Sequence, residues 1–383
     1  MTSTEVLPRT ALLSLTTAAF VTVLTEALPA GVLPGMSAGL GVGESAAGQA
    51  VTVYALGTAL TAIPLAAATA TWSRKRLLLA GVAGFAVANT VTALSADYVL
   101  TMAARFVAGV AAGVVWALLA GYARRLAPAH LQGKAIAIVM TGIPLALSLG
   151  IPAGTFLGGL LGWRSAFGVM SAIAVVLLAW ITTAVPDQPG QARGRVPVLR
   201  TLAVPGVVPV LVVTLVFVLA HTVLYTYVAT FLAHAGMGDA VDVVLLVFGV
   251  ASMAGIWVVG AWIDRALRPL MILSTILVAV AAALLAAFSG SHVLVYAAVT
   301  LWGLGWGGVP TLLQTAAGNA GGEAADNAQA MLVTLWNAAM AAGGVAGGVL
   351  LDAAGPMSFP WTLLLLLLPV LAVVAGARRH GFR

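Results

Sequence analysis

The sequence predicts an all-α membrane protein, with twelve transmembrane helices arranged as two six-helix pseudo-repeat bundles. Three observations carry this. Of 383 residues, 62% are hydrophobic and 7% charged, with a mean hydropathy of +1.10, whereas an ordinary soluble chain carries about 25% charged residues. The 17 basic and 11 acidic residues cannot cover a water-exposed surface, which excludes soluble enzymes, nucleic-acid binders and disordered scaffolds. Charges, prolines and glycine-rich turns then divide the chain into twelve apolar segments, each close to the roughly 20 residues a helix needs to cross a bilayer. Finally, glycine-rich stretches recur at equivalent places in the two halves.

The segments run at 10–33, 46–70, 77–96, 98–121, 134–160, 165–185, 206–233, 241–263, 269–288, 292–317, 327–350 and 359–377. The first is too long for a signal-peptide core and lacks an obvious small-x-small cleavage site, so it reads as a membrane helix. The sixth ends in Pro186 to Pro205, rich in Pro, Gly and Arg, a cytoplasmic linker (187–205) between bundles at 1–186 and 206–383. The fifth segment carries Gly154, Gly158 and Gly159, and the eleventh carries Gly343, Gly344, Gly347 and Gly348. Small residues four apart let helix backbones approach closely. Two parallel repeats about an axis along the membrane normal are one transporter architecture.

Orientation follows from where the basic residues fall. With the N-terminus in the cytoplasm, Arg9, Arg74, Lys75, Arg76, Arg124, Arg125, Lys134, Arg193, Arg195, Arg200, Arg265, Arg268, Arg378, Arg379 and Arg383 all lie inside, leaving Arg164 in an outer turn and Arg105 within the fourth segment. Excess Lys and Arg in cytoplasmic loops sets topology. The pI of 10.2 is therefore topogenic and needs no nucleic-acid partner. Both termini are expected in the cytoplasm. The predominance of Arg over Lys, with abundant Ala, Gly and Val, fits a GC-rich bacterial genome and a multi-pass protein of the bacterial inner membrane.

Glu26, in TEALPAGVLP, is the one acidic residue well inside a predicted span. A charge there costs about 2.5 to 3.5 kcal/mol on insertion scales and ordinarily faces a water-filled cavity or a partner. Such a group suits proton binding and release as a cavity changes sides. Pro29 and Pro34 follow it and interrupt the helix ladder. Arg105, in RFVAGVAAG, is the matching intramembrane cation, with Gly109 one turn later. Their direct pairing is left open by the sequence, as is a purely structural role for each.

Gly260, Asp264 and Arg265, in GAWIDRALR, with Arg268 following, form a Gly-x-x-x-Asp-Arg pattern at the inner end of the eighth segment, a candidate cytoplasmic latch or a solvated loop. Tyr54, Asn89, Trp116, His221, Tyr225, Trp306, Gln314, Trp336 and Asn337 are polar or amphipathic groups in apolar segments. Together they suit a pocket for a small organic solute; separately each also fits a satisfied core or interface position. No metal site is expected, since there is no cysteine and His221 has no nearby second ligand. No phosphate-cradling Gly-x-x-x-x-Gly-Lys-Ser/Thr loop occurs, which disfavours an ATP-driven pump.

Across essentially the whole chain these motifs resemble the major facilitator superfamily. Within it they are most similar to the bacterial twelve-span drug/proton antiporters, which include chloramphenicol exporters and arabinose-type sugar exporters. The resemblance is carried by TEALPAGVLPGMSAGLGV, RFVAGVAAGVVWALLAGYARRLAP and LGIPAGTFLGGLLGWRSAF in the first half, and by LLVFGVASMAGIWVVGAWIDR and LWNAAMAAGGVAGG in the second. It implies that Arg105 with Gly109 belongs to the fourth-helix proton-coupling motif, and that Gly150, Pro152, Gly154 and Gly158 belong to the fifth-helix antiporter motif, which bends and packs that helix. The gating motif after the second helix departs from the family pattern. It reads Ala66, Ala70, Thr71 and Ser73 at its first fixed places and keeps only Arg74, Lys75 and Arg76.

The expectation is a cofactor-free secondary transporter, not an enzyme, working as a monomer in the lipid bilayer with a small-molecule substrate and protons as partners. It would export a small organic molecule, such as an amphenicol drug, by proton antiport and alternating access. Sugar or metabolite efflux is the alternative solute class, and a facilitator or importer without proton coupling is the alternative mechanism.

Overall fold

The computed structural model describes residues 7–69, 71–128, 131–189, 198–377 and 381–382. Among these, eleven helices are long and apolar enough to cross a membrane, and a further helix, Glu44–Ala68, occupies the second expected segment. In chain order they are α1 (Arg9–Gly31), α2 (Glu44–Ala68), α3 (Arg74–Leu94), α4 (Tyr98–Leu126), α5 (Ile138–Leu161), α6 (Trp163–Ala184), α7 (Val207–Thr226), α8 (Gly238–Ile263), α9 (Arg265–Phe288), α10 (His292–Gly321), α11 (Ala325–Ala354) and α12 (Ser358–Gly376). The chain divides into two compact units, Met1–Val42 with Val53–Gly194, and Gly43–Thr52 with Arg195–Arg383. The first turns of α2 thus count with the second unit.

Helix ends follow local chemistry. Asp97 caps α4 by accepting from the Leu100 N–H at 2.7 Å, and Arg124 and Arg125 sit in its last turn, where free carbonyls favour cations. The φ of +84° at Gly162 makes the sharp turn from α5 into α6. Arg164, in the turn between α5 and α6, donates to the carbonyls of Gly39 (3.2 Å) and Ser95 (2.9 Å). Its charge is thus committed to backbone groups.

Within the first unit, α1 packs on α4, α5 and α6, and α3 packs on α4 and α6. Within the second, α7 packs on α11 and α12, and the helical run Val241–Phe288, which holds α8 and α9, packs on α10 and α12. The pairing repeats, α7 with α11 answering to α1 with α5. Lipid tails give helices little hydrophobic reason to associate, so close van der Waals packing decides which faces meet. A Cβ on Gly154 would lie 2.7 Å from Leu28 Cδ1, and one on Gly158 would lie 2.7 Å from Val32 Cγ1. On the second unit's matching face, Gly343 and Gly347 stand in the same relation to Thr222 (2.7 Å) and Tyr227 (2.6 Å). The two glycine stripes seen in sequence are therefore the contact faces of equivalent helix pairs.

Helices α5 and α9 are irregular next to a proline. Ahead of Pro152, α5 widens into a π-turn over Ala146–Gly150, where the missing proline N–H leaves the Ser148 carbonyl without its usual donor. In the first turn of α9 the backbone breaks at Ala266 (φ −143°, ψ 34°), three residues before Pro269.

Candidate functional site

In the first unit, polar groups converge on one turn of α1. Arg105 is fully buried and donates from Nη2 to the Thr25 carbonyl at 2.7 Å. Asn89 of α3, also fully buried, donates from Nδ2 to the Thr25 hydroxyl at 3.1 Å. The Tyr54 hydroxyl reaches the Thr22 carbonyl at 3.2 Å. The guanidinium lies 5.0 Å from the centre of the Tyr54 ring and 5.9 Å from that of Phe167, a cation–π arrangement that strengthens away from water. Glu26, the next residue along α1, is half-buried and feels the Arg105 charge. The structure thus brings together Glu26, Arg105, Tyr54 and Asn89. Gly109 makes this possible: a Cβ there would collide with the Tyr54 carbonyl and lie 3.1 Å from Gly57 Cα.

In the second unit an aromatic cluster surrounds His221. The imidazole stacks face to face on Trp306, with ring centres 3.5 Å apart and planes 6° from parallel. Its other neighbours are Tyr225 (5.1 Å, stacked), Phe248 (6.2 Å) and Trp302 (5.4 Å, edge-on). Trp302 Nε1 donates to His221 Nδ1 at 3.1 Å, and Trp336 tilts against Trp306 at 5.7 Å. Four of the residues singled out from sequence, His221, Tyr225, Trp306 and Trp336, therefore meet. Trp302 and Phe248 were missed, although Trp302 and Trp306 stand four apart on one helix face, as do His221 and Tyr225.

The remaining candidates are elsewhere. Trp116 is half-buried at the edge of the first unit's core. Asn337 donates back to its own helix at the Val333 carbonyl (2.9 Å), and Gln314 is exposed. A Cβ on Gly260 would meet open space, Arg265 is exposed and Arg268 is half-buried; the side chain of Asp264 lies outside the described residues. Gly150 faces α1, where an added Cβ would lie 2.9 Å from Phe20 Cζ.

At the start of α3 the structure supplies a group that sequence reasoning did not connect. Asp187, just past α6, accepts from the Ser73 hydroxyl at 2.5 Å and from the Lys75 N–H at 3.2 Å. The neighbouring Gln188 carbonyl accepts from the Arg74 N–H at 2.8 Å, and Lys75 Nζ reaches the Thr182 carbonyl at 2.8 Å. The Ser73 hydroxyl bond chiefly holds the Asp187 carboxyl below its ordinary value, with the Lys75 and Gln188 N–H groups and the Arg76 charge adding to it.

Comparison with known proteins agrees with this architecture. Residues 15–326 match the family model described as Major Facilitator Superfamily. The chain belongs to the Major Facilitator Superfamily. Among its relatives, the transcription regulatory protein OpdE of Pseudomonas aeruginosa is 29% identical, over 90% of this chain and 87% of that protein. The purine ribonucleoside efflux pump NepI of Escherichia coli is 27% identical, over 90% and 88%. The solved structure of a D-xylose-proton symporter superposes with a TM-score of 0.80 at 14% identity, over 97% of each chain, a likeness of fold. This superfamily member is a multi-span membrane transporter of small molecules and not an enzyme.

Proposed function

We propose that the protein exports a small organic solute in exchange for protons by alternating access, as a monomer in the bacterial cytoplasmic membrane with both termini inside. The observation that carries this reading is Glu26, half-buried in mid-helix beside the fully buried Arg105. An intramembrane carboxyl next to a fixed cation is a group that can take up a proton from one side and release it to the other. One proton moving through about 100 mV supplies about 2.3 kcal/mol, and one pH unit adds about 1.36 kcal/mol. Together they sustain a gradient of roughly a few hundredfold for a neutral solute.

Two solute classes have support. Resemblance to chloramphenicol exporters favours a drug of the amphenicol type. Similarity to NepI, a purine ribonucleoside efflux pump, favours a metabolite such as a nucleoside. The gating pattern at Gly260, Asp264, Arg265 and Arg268, with Arg74, Lys75 and Arg76, and the antiporter motif at Gly150 to Gly158 serve the conformational change in this reading.

The test uses proteoliposomes with an imposed pH gradient and a pH-sensitive dye. Solute addition should release protons through the native protein. Glu26→Gln should abolish concentrative export while leaving solute exchange at equal pH; undiminished uphill export by that variant would remove Glu26 from the mechanism.

A further inference from the structure

The geometry points to the His221 cluster as a binding wall for a flat conjugated ring that carries a hydrogen-bond acceptor on its edge. This rests on the reading of the chain as an exporter of a small organic solute and specifies which part of that solute is recognised. An indole N–H can only donate, so the Trp302 bond to Nδ1 requires that nitrogen to be an acceptor. The imidazole is then neutral and carries its single proton on Nε2.

Nε2 has no hydrogen-bond partner among the described residues, although His221 is only 7% exposed. Nε2 is not among the fully buried polar atoms left without a partner, so it keeps surface that an acceptor from outside the protein can reach. Trp302 and Trp306, at 2% and 7% exposure, form the backing of the wall. Tyr225 and Trp336 remain half-buried and offer ring surface, Tyr225 beside the histidine and Trp336 beside Trp306.

Stacking on such surfaces favours an offset, conjugated ring. Both a nucleobase and a nitrophenyl group present that combination of face and edge acceptor. A free sugar presents acceptors but no conjugated face, and among the described residues the wall's ring contacts include no carboxylate or carboxamide side chain to receive several hydroxyls. The recognised element is accordingly the ring and not a polyol.

The experiment is equilibrium dialysis against the full-length protein in lipid nanodiscs, without any ion gradient, using adenosine, chloramphenicol, ribose and arabinose as probes. At least one of the two ring-bearing probes should bind saturably, and neither sugar should displace it at hundredfold excess. Trp336→Leu, at a half-buried position, should weaken that binding about tenfold. His221→Ala should weaken it similarly, with partial recovery in His221→Gln, which restores an N–H donor. Binding of neither ring probe, displacement by the sugars, or affinity within twofold in Trp336→Leu would overturn the proposal. Because no gradient is applied, ring binding stands or falls separately from proton coupling: Glu26→Gln should retain it.

Discussion

Arg105 Nη2 donates to the Thr25 carbonyl oxygen at 2.7 Å, and that carbonyl is the one Pro29, four residues on within α1, leaves without an intrahelical donor. The proline and the arginine are thus complementary. Pro29 removes an N–H from the ladder, and a guanidinium from α4 replaces it. A buried cation, which would otherwise be a liability in this position, becomes part of the backbone bonding of the helix that carries Glu26.

If Arg105 replaces the lost ladder bond, restoring an N–H at position 29 should relieve the dependence on Arg105. Arg105→Gln should lower thermal stability in detergent strongly when Pro29 is present and less in a Pro29→Ala background. The coupling between the two changes should be about 1.5 to 3 kcal/mol, the range for hydrogen bonds from charged groups and within that for residues sharing one network. Equal losses in both backgrounds would show that Arg105 is not standing in for the missing donor.

Glu26, Arg105, Pro29 and Gly109 were all visible in the sequence, because a charge or a helix breaker in an apolar segment stands out against its surroundings. Thr25, where they converge, was not, since a threonine in a membrane helix ordinarily bonds its own preceding turn, as Thr22 does to Ala18. The bond from Trp302 to His221 was hidden for a different reason. Each residue has a plausible solitary role, and only the packing of α10 on α7 makes one the partner of the other. Asp187 looked like a linker residue because nothing local ties it to Ser73, 114 positions earlier. The fold itself was easier to read, because charge placement and glycine periodicity repeat along the whole chain.

Close helix approach at Gly109 yields a second prediction. Gly109→Ala places a methyl group against the Tyr54 carbonyl and Gly57 Cα. Both are backbone, so neither can swing aside, and α2 and α4 must separate. The expected loss is about 1 to 3 kcal/mol, the usual range for overpacking. Gly159→Ala is the control, since its added Cβ meets nothing within 4 Å. That change should be neutral or stabilising by about 0.4 to 1 kcal/mol. Unfolding in a graded denaturant series distinguishes them, and indistinguishable variants would mean that Gly109 does not set the spacing of α2 and α4.

The Asp187 cap on α3 makes a pH-dependent prediction at that helix end. Its folded value lies below the ordinary 3.8, so the ionised carboxylate is favoured by folding. The stabilisation it gives is fully present above 3.8 and is lost as pH falls through the lower, folded value. Arg74, Lys75 and Arg76 are the first three residues of α3, whose N–H groups would otherwise be orphaned. They are bonded by Gln188, Asp187 and Ser73 respectively. Hydrogen exchange at these amides should therefore be slow near neutrality, after correction for intrinsic rates, and should lose protection only in the acid range. Asp187→Asn should be less protected near neutrality and should lose the acid transition. Ser73→Ala removes the bond chiefly responsible for the lowered value, so its transition should move up toward 3.8. Native-like protection with an unchanged acid transition in Asp187→Asn would mean that the carboxylate does not close this helix end.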